Sequence, residues 1–358
     1  MLASLTLKSI KPSLFYSSIQ HSKRTMSTTM KAIVVEEYGG LDKLLYKDFA
    51  KPTAEKDTVV VKNHSIGINM IDTYHRSGLY PLPLPFIMGR DAAGEIVEVG
   101  EGVTNFKVGD RVVHMGGSGY AEFSQTKAVM AVKIPDEITY DVATAAALQG
   151  LTALTLVRDS YAVKKDDYIL VHAAAGGVGL ILCQLGKHLG KRAKEIKLGA
   201  HVIGTASTDA KCELAKANGA EFTINSSTED IAKRVSEITG GLGVHASLDG
   251  VGKSTFDSSM ASIRRLGTMV SFGNASGPVP PINISVLAQK NIKLMRPTLY
   301  NYLATPEEAK RWFDELFALI KEGALKFHIH KVYDLKDAQQ AQSDLQARLT
   351  TGKLLLRP

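Results

Sequence analysis

A glycine-rich turn between an apolar strand and an apolar helix is the feature that most constrains the fold of this chain. Residues 169–179 read Ile-Leu-Val-His-Ala-Ala-Ala-Gly-Gly-Val-Gly, which places Ala174, Gly176 and Gly179 in the pattern A-x-G-x-x-G. Glycines let the backbone turn tightly and approach a pyrophosphate, whose charge the free N–H groups at a helix N-terminus can hold. The segment therefore predicts a dinucleotide-binding turn. A tight connection without a ligand is the alternative, because Ala174 stands where the usual pattern has its first glycine.

Length and composition are those of an ordinary folded enzyme. The chain has 358 residues, 44% of them hydrophobic, which is enough for about two domains with sizeable cores. It contains no uninterrupted apolar run of about 18 residues or more, so we expect no membrane-spanning helix. The two cysteines, Cys183 and Cys212, are too few for a disulfide framework and fit a reducing compartment.

The first 29 residues differ in composition from the rest of the chain. They contain seven serines and four basic residues, which are Lys8, Lys11, Lys23 and Arg24. The first acidic residue is Glu36, and this composition is typical of a mitochondrial transit peptide, although a disordered tail without a targeting role has the same features. Initiation at Met26 or Met30 would give a cytosolic form, so we expect a mitochondrial and/or cytoplasmic protein.

The basic charge of the chain depends strongly on that segment. The formal charge is +7, and it falls to +3 without residues 1–29, because these hold four of the 43 basic residues and none of the 36 acidic ones. The net charge is therefore weak evidence for nucleic-acid binding.

The sequence pattern changes once after residue 30. Short strands punctuated by glycine predict a β-rich first domain. From about residue 141 helices appear and then alternate with strands, which predicts a doubly wound parallel sheet and an α/β fold class. The expected strands of this part are 168–173, 201–205, 221–224, 244–249 and 268–272. The expected helices are 178–190, 209–218, 228–239 and 254–265. An amphipathic helix near 306–322, a strand and a last helix are expected to return to the first domain.

Several segments together resemble the zinc-free medium-chain dehydrogenases/reductases, and within them the ζ-crystallin-like NADPH:quinone oxidoreductases. The resemblance covers residues 31–358 and is carried by the segments 69–80, 89–94, 109–112, 172–179, 270–277 and 296–297. It implies a GroES-like catalytic domain over 30–151 and 294–358, a Rossmann NADPH-binding domain over 152–293, and a cleft at their junction. It also implies a homodimer and the reduction of small hydrophobic quinones.

The residues argue against a metal. Zinc enzymes of this superfamily use Cys, His and Cys as catalytic ligands, with an acidic residue after the His. The matching positions here hold Asn69, Arg90 followed by Asp91, and Gln149. Amide and guanidinium groups cannot replace thiolate and imidazole ligands, and the pair His328 and His330 lacks a third ligand. Without a metal, alcohol oxidation is disfavoured and an easier hydride acceptor is expected.

The end of the second strand of the nucleotide unit bears on the choice of cofactor. NAD enzymes place Asp or Glu there, whereas residues 204–207 are Gly, Thr, Ala and Ser. Small residues leave room for a 2′-phosphate, which Lys211 can hold by a charge-assisted hydrogen bond, unless Lys211 is simply a solvated helix residue. The resemblance adds Arg348 near the same phosphate and Ser226 where the family has a tyrosine. Asp209 lies past the strand and is interpreted as a helix cap.

The resemblance also supplies the other site residues. It implies cofactor contacts from Thr152, Gly176, Gly177, Val178, Gly179, Phe272 and Asn274. On the substrate side it implies Asn69, Tyr74, Tyr80 and Arg296, whose amide, phenol and guanidinium groups can stabilise negative charge on a quinone oxygen. The two tyrosines could instead be ordinary packed side chains.

Two further segments are interpreted cautiously. Gly252-Lys253-Ser254 imitates the end of a P-loop, but Ser247 stands where that motif requires its first glycine, so we reject an ATPase. Residues 191–197 lengthen the connection between the first helix and the second strand of the nucleotide unit. They are either an extended basic helix end or an error in the gene model.

Two other functions stay open at this stage. One is NADPH-dependent reduction of an activated C=C bond in a 2-alkenal or enone, which these residues do not separate from quinone reduction. The other is an additional role as a binder of AU-rich RNA or as an abundant structural protein, although no basic motif with interleaved aromatic residues supports RNA binding.

Overall fold

A computed structural model of the protein describes residues 28–189 and 199–358. Two sequence predictions lie outside these ranges, the targeting segment up to residue 27 and the extra residues 191–197. In the described part, the strands form three sheets, of which one is parallel and is flanked by helices. The predicted α/β fold class is confirmed.

The strands, in chain order, are β1 (Thr29–Val35), β2 (Leu45–Ala50), β3 (Thr58–Ile68), β4 (Phe86–Ile87), β5 (Ala92–Val99), β6 (Arg111–His114), β7 (Phe123–Lys127), β8 (Ala131–Lys133), β9 (Tyr168–Val171), β10 (His201–Ala206), β11 (Phe222–Asn225), β12 (Val244–Asp249), β13 (Ile263–Ser271), β14 (Lys293–Met295), β15 (Ile329–Asp334) and β16 (Lys353–Arg357). The α-helices are α1 (Met70–Ser77), α2 (Tyr140–Ala145), α3 (Leu151–Thr155), α4 (Gly177–Leu189), α5 (Asp209–Ala217), α6 (Ile231–Ile238), α7 (Phe256–Ser262), α8 (Pro306–Lys321) and α9 (Ala338–Gln346). Short 3₁₀ turns span Leu41–Lys43, Ala128–Met130, Ile284–Leu287, Leu299–Tyr302 and Leu335–Asp337.

The parallel sheet has the strand order β11-β10-β9-β12-β13-β14. Its central strand β9 is apolar along its length because both faces are covered. Ile169 and Val171 belong to one hydrophobic core, and Leu170 between them belongs to the core on the opposite face. The alternation of side chains along a strand explains this division. The sheet reaches Met295 through β14, which pairs with β13.

The other large sheet is built from both ends of the chain. It follows the order β15-β16-β3-β5-β6-β8, with β7 also paired to β3. The C-terminal strand β16 runs antiparallel to β3, with Leu355 opposite Gly67. A smaller sheet holds β1 between β2 and β4. The chain therefore returns to its first domain after passing through the parallel sheet.

A long helix, Tyr140–Ser160, joins the two large sheets. It consists of α2 and α3, each continued by a π-helical turn, Ala146–Gly150 and Leu156–Ser160. It is long and apolar enough to cross a membrane, but 67% of its apolar stretch is buried inside the protein. It packs against α4 and α8 and contributes Ala147, Leu151 and Leu154 to the largest core. This helix is therefore a core helix.

Helix α8 covers that core helix from the outside. Its first turn is fixed by a capping box, in which Thr305 accepts from the backbone N–H of Glu308 and the Glu308 carboxylate accepts from that of Thr305. Its buried face presents Trp312, Phe313 and Leu316 to the core. The predicted amphipathic helix is thus present, with an end one residue earlier than expected.

Several predicted boundaries are wrong, and the two described next have a clear structural reason. The helix expected over 254–265 ends at Ser262, and β13 begins at the next residue. Ile263 pairs with Val244 of β12, and Leu266 has φ +63°, a conformation that cannot continue a helix. The strand expected over 168–173 ends at Val171, because the chain turns at Ala173, where φ is +49°.

Candidate active site

The glycine-rich turn follows β9 at the carboxyl end of the parallel sheet. Gly176 donates its N–H to the carbonyl oxygen of Ala173 at 2.8 Å, and α4 begins at Gly177. A Cβ on Gly179 would lie 2.3 Å from the Ala173 oxygen, and one on Gly177 would lie 2.0 Å from Oε1 of Gln149. A side chain at Gly179 would therefore displace the backbone of the turn, whereas one at Gly177 would displace the amide of Gln149.

Ala174 replaces the first glycine of the usual pattern without loosening the turn. Its N–H donates to the carbonyl oxygen of Thr205 at 2.8 Å, so the turn stays bonded to β10. The space for its methyl group comes from Gly204 on β10, where an added Cβ would lie 2.8 Å from the Cβ of Ala174. The missing glycine is thus compensated on the neighbouring strand.

The turn fits the pyrophosphate of a dinucleotide. The first N–H groups of α4 have no partner within the helix, and an N-terminus of this kind attracts phosphate. A Cβ on Gly176 would meet only the Ala173 oxygen, at 3.2 Å, so a ligand can approach the backbone there. The C-terminal segment lies against the same turn. Gly352 forms a parallel β-bridge with Gly176, and its N–H donates to the carbonyl oxygen of Ala175 at 3.0 Å.

Lys211 and Arg348, both predicted to contact the cofactor, lie in contact with each other. Nζ of Lys211 donates to the backbone oxygen of Arg348 at 2.5 Å. Partial burial and the nearby charge of Arg348 lower the pKa of Lys211. The exposed hydroxyl of Ser226 donates to the oxygen of Ala206 at 3.1 Å. The small residues 204–207 bring no carboxylate to this end of β10.

The interpretation of Asp209 as a helix cap is wrong. The cap of α5 is Thr208, whose hydroxyl accepts from the backbone N–H of Lys211. Asp209 is the first residue of the helix, and its carboxylate accepts from Nδ2 of Asn225 at 2.7 Å. This bond turns the carboxylate toward β11.

On the acceptor side, four of the predicted residues form one hydrogen-bonded group across the junction of the two domains. The hydroxyl of Tyr74 accepts from the backbone N–H of Asn274 at 3.0 Å. Arg296 donates to the hydroxyl oxygen of Tyr80 at 2.8 Å and to the carbonyl oxygen of Ser271 at 2.7 Å. The side-chain oxygen of Asn274, in the orientation that satisfies both ends of the amide, accepts from Tyr80 at 2.8 Å and from Arg296 at 3.2 Å.

The two tyrosines are oriented for hydrogen bonding rather than for packing alone. Their rings meet edge to face with centroids 5.3 Å apart. Burial raises the pKa of Tyr74 to about 12, so its hydroxyl keeps its proton at neutral pH. Two residues that are predicted to contact the cofactor also contact the protein around them. The hydroxyl of Thr152 donates to the carbonyl oxygen of Leu148, and the ring of Phe272 lies over Gly250.

Asn69 does not lie free in the cleft, because a buried triad engages both ends of its amide. Its Nδ2 donates to Asp91 at 2.6 Å, and its Oδ1 accepts from Nζ of Lys353 at 2.8 Å. Lys353 also pairs with Asp91 at 3.3 Å, and Asn69 as a residue is only 3% exposed. Sequence reasoning missed Lys353, although a single lysine beside the apolar run Leu354–Leu356 is a signal that could have pointed to it.

A second buried carboxylate, Asp72, lies next to this triad. Its Oδ2 accepts from the backbone N–H of Asn69 at 2.8 Å and from the hydroxyl of Tyr120 at 2.9 Å. Its Oδ1 has no hydrogen-bond partner within residues 28–189 and 199–358. Burial raises the pKa of Asp72 to about 7.

The positions that hold zinc ligands in the zinc-dependent enzymes of this superfamily carry other side chains here. Nε of Arg90 donates to the hydroxyl of Tyr300 at 3.1 Å, and the guanidinium lies over that ring. His328 and His330 both contact the hydroxyl of Thr351. Among the described residues, no three His, Cys, Asp or Glu side chains are grouped so as to hold a metal ion.

Comparison with known proteins gives consistent matches along the chain. The alcohol dehydrogenase GroES-like domain matches residues 55–136, and the family described as zinc-binding dehydrogenase matches residues 177–318. The chain is 42% identical to the quinone oxidoreductase of Pseudomonas aeruginosa over 332 residues, which cover 92% of this chain and 99% of that protein. The 2-haloacrylate reductase of a Burkholderia species is 35% identical over 340 residues, 91% of this chain and 98% of that protein.

Solved structures agree with these sequence matches. The crystal structure of Escherichia coli quinone oxidoreductase complexed with NADPH has a TM-score of 0.87 to this chain. The sequence identity is 41%, and the match covers 92% of this chain and all of that one.

The raised pKa of Asp72 predicts a pH-dependent stability. The unfolded carboxyl loses its proton near 3.8 and the folded one near 7, so wild-type stability should fall, relative to Asp72→Asn, as pH rises between these values. Urea unfolding of both proteins across this range measures the difference. Exposed Asp136→Asn is the matched control and should show no such trend. A constant difference between wild type and Asp72→Asn would contradict the burial argument.

Proposed function

Since this chain belongs to the zinc-free quinone oxidoreductases of the medium-chain dehydrogenase/reductase family, we propose that it oxidises NADPH and reduces small hydrophobic quinones at the junction of its two domains. The observation that carries the proposal is the group formed by Tyr74, Tyr80, Asn274 and Arg296. It joins Tyr74 and Tyr80 of the first domain to Asn274 and Arg296 at the carboxyl end of the parallel sheet, where ligands collect in open α/β folds.

The cofactor site is assigned to two places, the glycine-rich turn after β9 and the contact between Lys211 and Arg348. The backbone N–H groups of Gly177, Val178 and Gly179 hold the pyrophosphate, with the close approach occurring at Gly176. Lys211 and Arg348 hold the 2′-phosphate by charge-assisted hydrogen bonds. When bound, NADPH supplies the hydride. The chain's own residues orient the two reactants and stabilise charge.

The acceptor site supports the proposal through its donors. Reduction of a quinone places negative charge on a carbonyl oxygen, and donors already oriented toward that oxygen lower the barrier. The hydroxyl oxygen of Tyr74 accepts from Asn274, so its own hydrogen is free to be donated. Arg296 holds the hydroxyl of Tyr80 in the same group. Asn69 acts indirectly, by fixing the start of α1 through Asp91 and Lys353.

A second candidate is the reduction of an activated C=C bond. It is favoured by the 35% identity to 2-haloacrylate reductase over nearly the whole chain. The same donors would stabilise an enolate oxygen.

The first experiment compares acceptors directly. Loss of absorbance at the reduced-nicotinamide band is followed with NADPH or NADH, first with an ortho-quinone and then with an enone aldehyde, on protein beginning at Met30. We expect fast turnover with NADPH and the quinone. Turnover with the enone alone would move the assignment to C=C reduction, and no turnover with either acceptor would contradict both proposals.

The choice of NADPH depends on Lys211. We expect Lys211→Ala to raise KM for NADPH by about 10- to 100-fold, the usual effect of losing a hydrogen bond to a charged group. KM for NADH should change little, because NADH lacks the 2′-phosphate. Lys216→Ala, on the same helix and paired with Glu213, is the matched control. An unchanged preference for NADPH in Lys211→Ala would remove the role assigned to this residue.

We also propose that the protein forms a homodimer through the edge of its parallel sheet. The edge strand β14 presents backbone groups for pairing, and exposed apolar residues accompany it, among them Leu294, Ile284 and Val286. Light scattering of wild type should give the mass of two chains, and Leu294→Lys should give that of one. A monomeric wild type would contradict this proposal.

A further inference from the structure

Four buried polar side chains that the proposed reaction does not use form a side-chain bridge at the carboxyl ends of three neighbouring strands. They are Thr205 of β10, His172 directly after β9, Asp249 at the end of β12, and Ser259 of α7. None of the four residues is more than 3% exposed. Because β10, β9 and β12 are adjacent in the parallel sheet, the bridge crosses the sheet where the glycine-rich turn begins.

The hydrogen bonds of the side-chain bridge follow one another without a gap. Oγ1 of Thr205 lies 3.2 Å from Nδ1 of His172, and Nε2 of the same ring lies 2.8 Å from Oγ of Ser259. The Ser259 hydroxyl donates to Oδ2 of Asp249 at 2.9 Å. Both nitrogens of the buried imidazole therefore have a partner.

Only one arrangement of the hydrogens fits these contacts. A carboxylate only accepts, so Ser259 gives its hydrogen to Asp249, and its oxygen accepts from Nε2 of His172. Burial lowers the pKa of His172, although the charge of Asp249 opposes this effect, so the ring is neutral at neutral pH and carries a single hydrogen. Nδ1 then accepts from the hydroxyl of Thr205.

The Asp249 end of the bridge holds the segment that contains Asn274. Oδ1 of Asp249 accepts from the backbone N–H groups of Val251 at 2.8 Å and Gly252 at 3.0 Å, which fixes the loop after β12. That loop packs closely on the segment after β13. A Cβ on Gly252 would lie 3.2 Å from Cα of Asn274, and Ser276 donates its N–H to the oxygen of Val251 at 2.8 Å.

The other end of the bridge holds the glycine-rich turn. His172 directly precedes Ala173, whose φ of +49° starts the turn. The backbone oxygen of Thr205 accepts from the N–H of Ala174 at 2.8 Å. The side-chain bridge therefore connects the turn assigned to the pyrophosphate with the segment whose Asn274 belongs to the acceptor group.

We propose that the side-chain bridge sets the distance between these two parts of the site, so that the nicotinamide end of a dinucleotide held at the turn lies against the acceptor group. The inference rests on the proposed function, because it requires a dinucleotide at that turn. His172, Ser259 and Asp249 are buried and act through the backbone around them, so they are positioning residues. A displacement of about 1 Å between reactants can cost about 100-fold in rate.

The test breaks the bridge at its middle with Ser259→Ala, which leaves Nε2–H of His172 without its acceptor. Isothermal titration of the full chain compares NADP⁺ with 2′,5′-ADP, which carries the 2′-phosphate but lacks the nicotinamide end. We expect NADP⁺ to bind about tenfold more weakly to the variant, and 2′,5′-ADP to bind as it does to wild type. A general loss of folded protein would affect both ligands alike.

Ser262→Ala is the matched control. It also removes a buried hydroxyl from α7, but that hydroxyl donates only to the carbonyl oxygen of Ser258, at 2.7 Å. We expect this variant to bind both ligands as wild type does. Equal affinities of Ser259→Ala and Ser262→Ala for NADP⁺, or equal weakening of both ligands by Ser259→Ala, would overturn the inference. A wild type that binds neither ligand would contradict the proposed function itself.

A pair of variants at Thr205 covers the case in which Ser259→Ala fails to fold. Thr205→Val removes the hydroxyl at the other end of the bridge with little change in shape, whereas Thr205→Ser keeps it. We expect Thr205→Val to weaken NADP⁺ relative to 2′,5′-ADP and to lower kcat about tenfold with whichever acceptor supports turnover. Thr205→Ser should restore both. Identical behaviour of the two variants would contradict a role for the bridge.

Discussion

One hydrophobic core runs through both domains, and the geometry of the site depends on it. The helix Tyr140–Ser160 lies at its centre, between Ala93 and Val113 of the first domain and Ile169 of the parallel sheet. Close-packed interiors deform little, so a core shared by two domains fixes their relative position. The hydrogen bond between Tyr74 and Asn274, which come from different domains, requires that fixed position.

The architecture was predictable where the sequence signal is local. Alternating strands and helices, and glycines at a strand-helix turn, depend on neighbours within a few residues, and the predicted parallel sheet follows them. Predictions based on local propensity were wrong where a distant strand decided the outcome. Ile263 pairs with Val244 of β12 and is therefore part of a strand, although the residues directly before it are helical.

The site was predictable only in part, for the same reason. Family resemblance located Tyr74, Tyr80, Asn274 and Arg296, and the structure brings them together. It also suggested that Asn69 faces the acceptor, whereas the structure surrounds Asn69 with Asp91 and Lys353. The Lys353 contact spans 284 residues of sequence, and no local pattern connects its two ends. A buried ion pair of this kind contributes little net stability but penalises arrangements that leave either charge unpaired. It therefore favours one register of β16 against β3.

The bridge between Gly352 and Gly176 has a consequence for how the protein is made. The pyrophosphate turn is complete in sequence by residue 179, yet the segment that lies against it is among the last ten residues of the chain. During synthesis, the parallel sheet can assemble before the first domain receives β16. The bridge of Gly352 to this turn, however, can form only after the segment around Gly352 has left the ribosome. Until then the turn lacks the backbone hydrogen bond that Gly352 donates to Ala175.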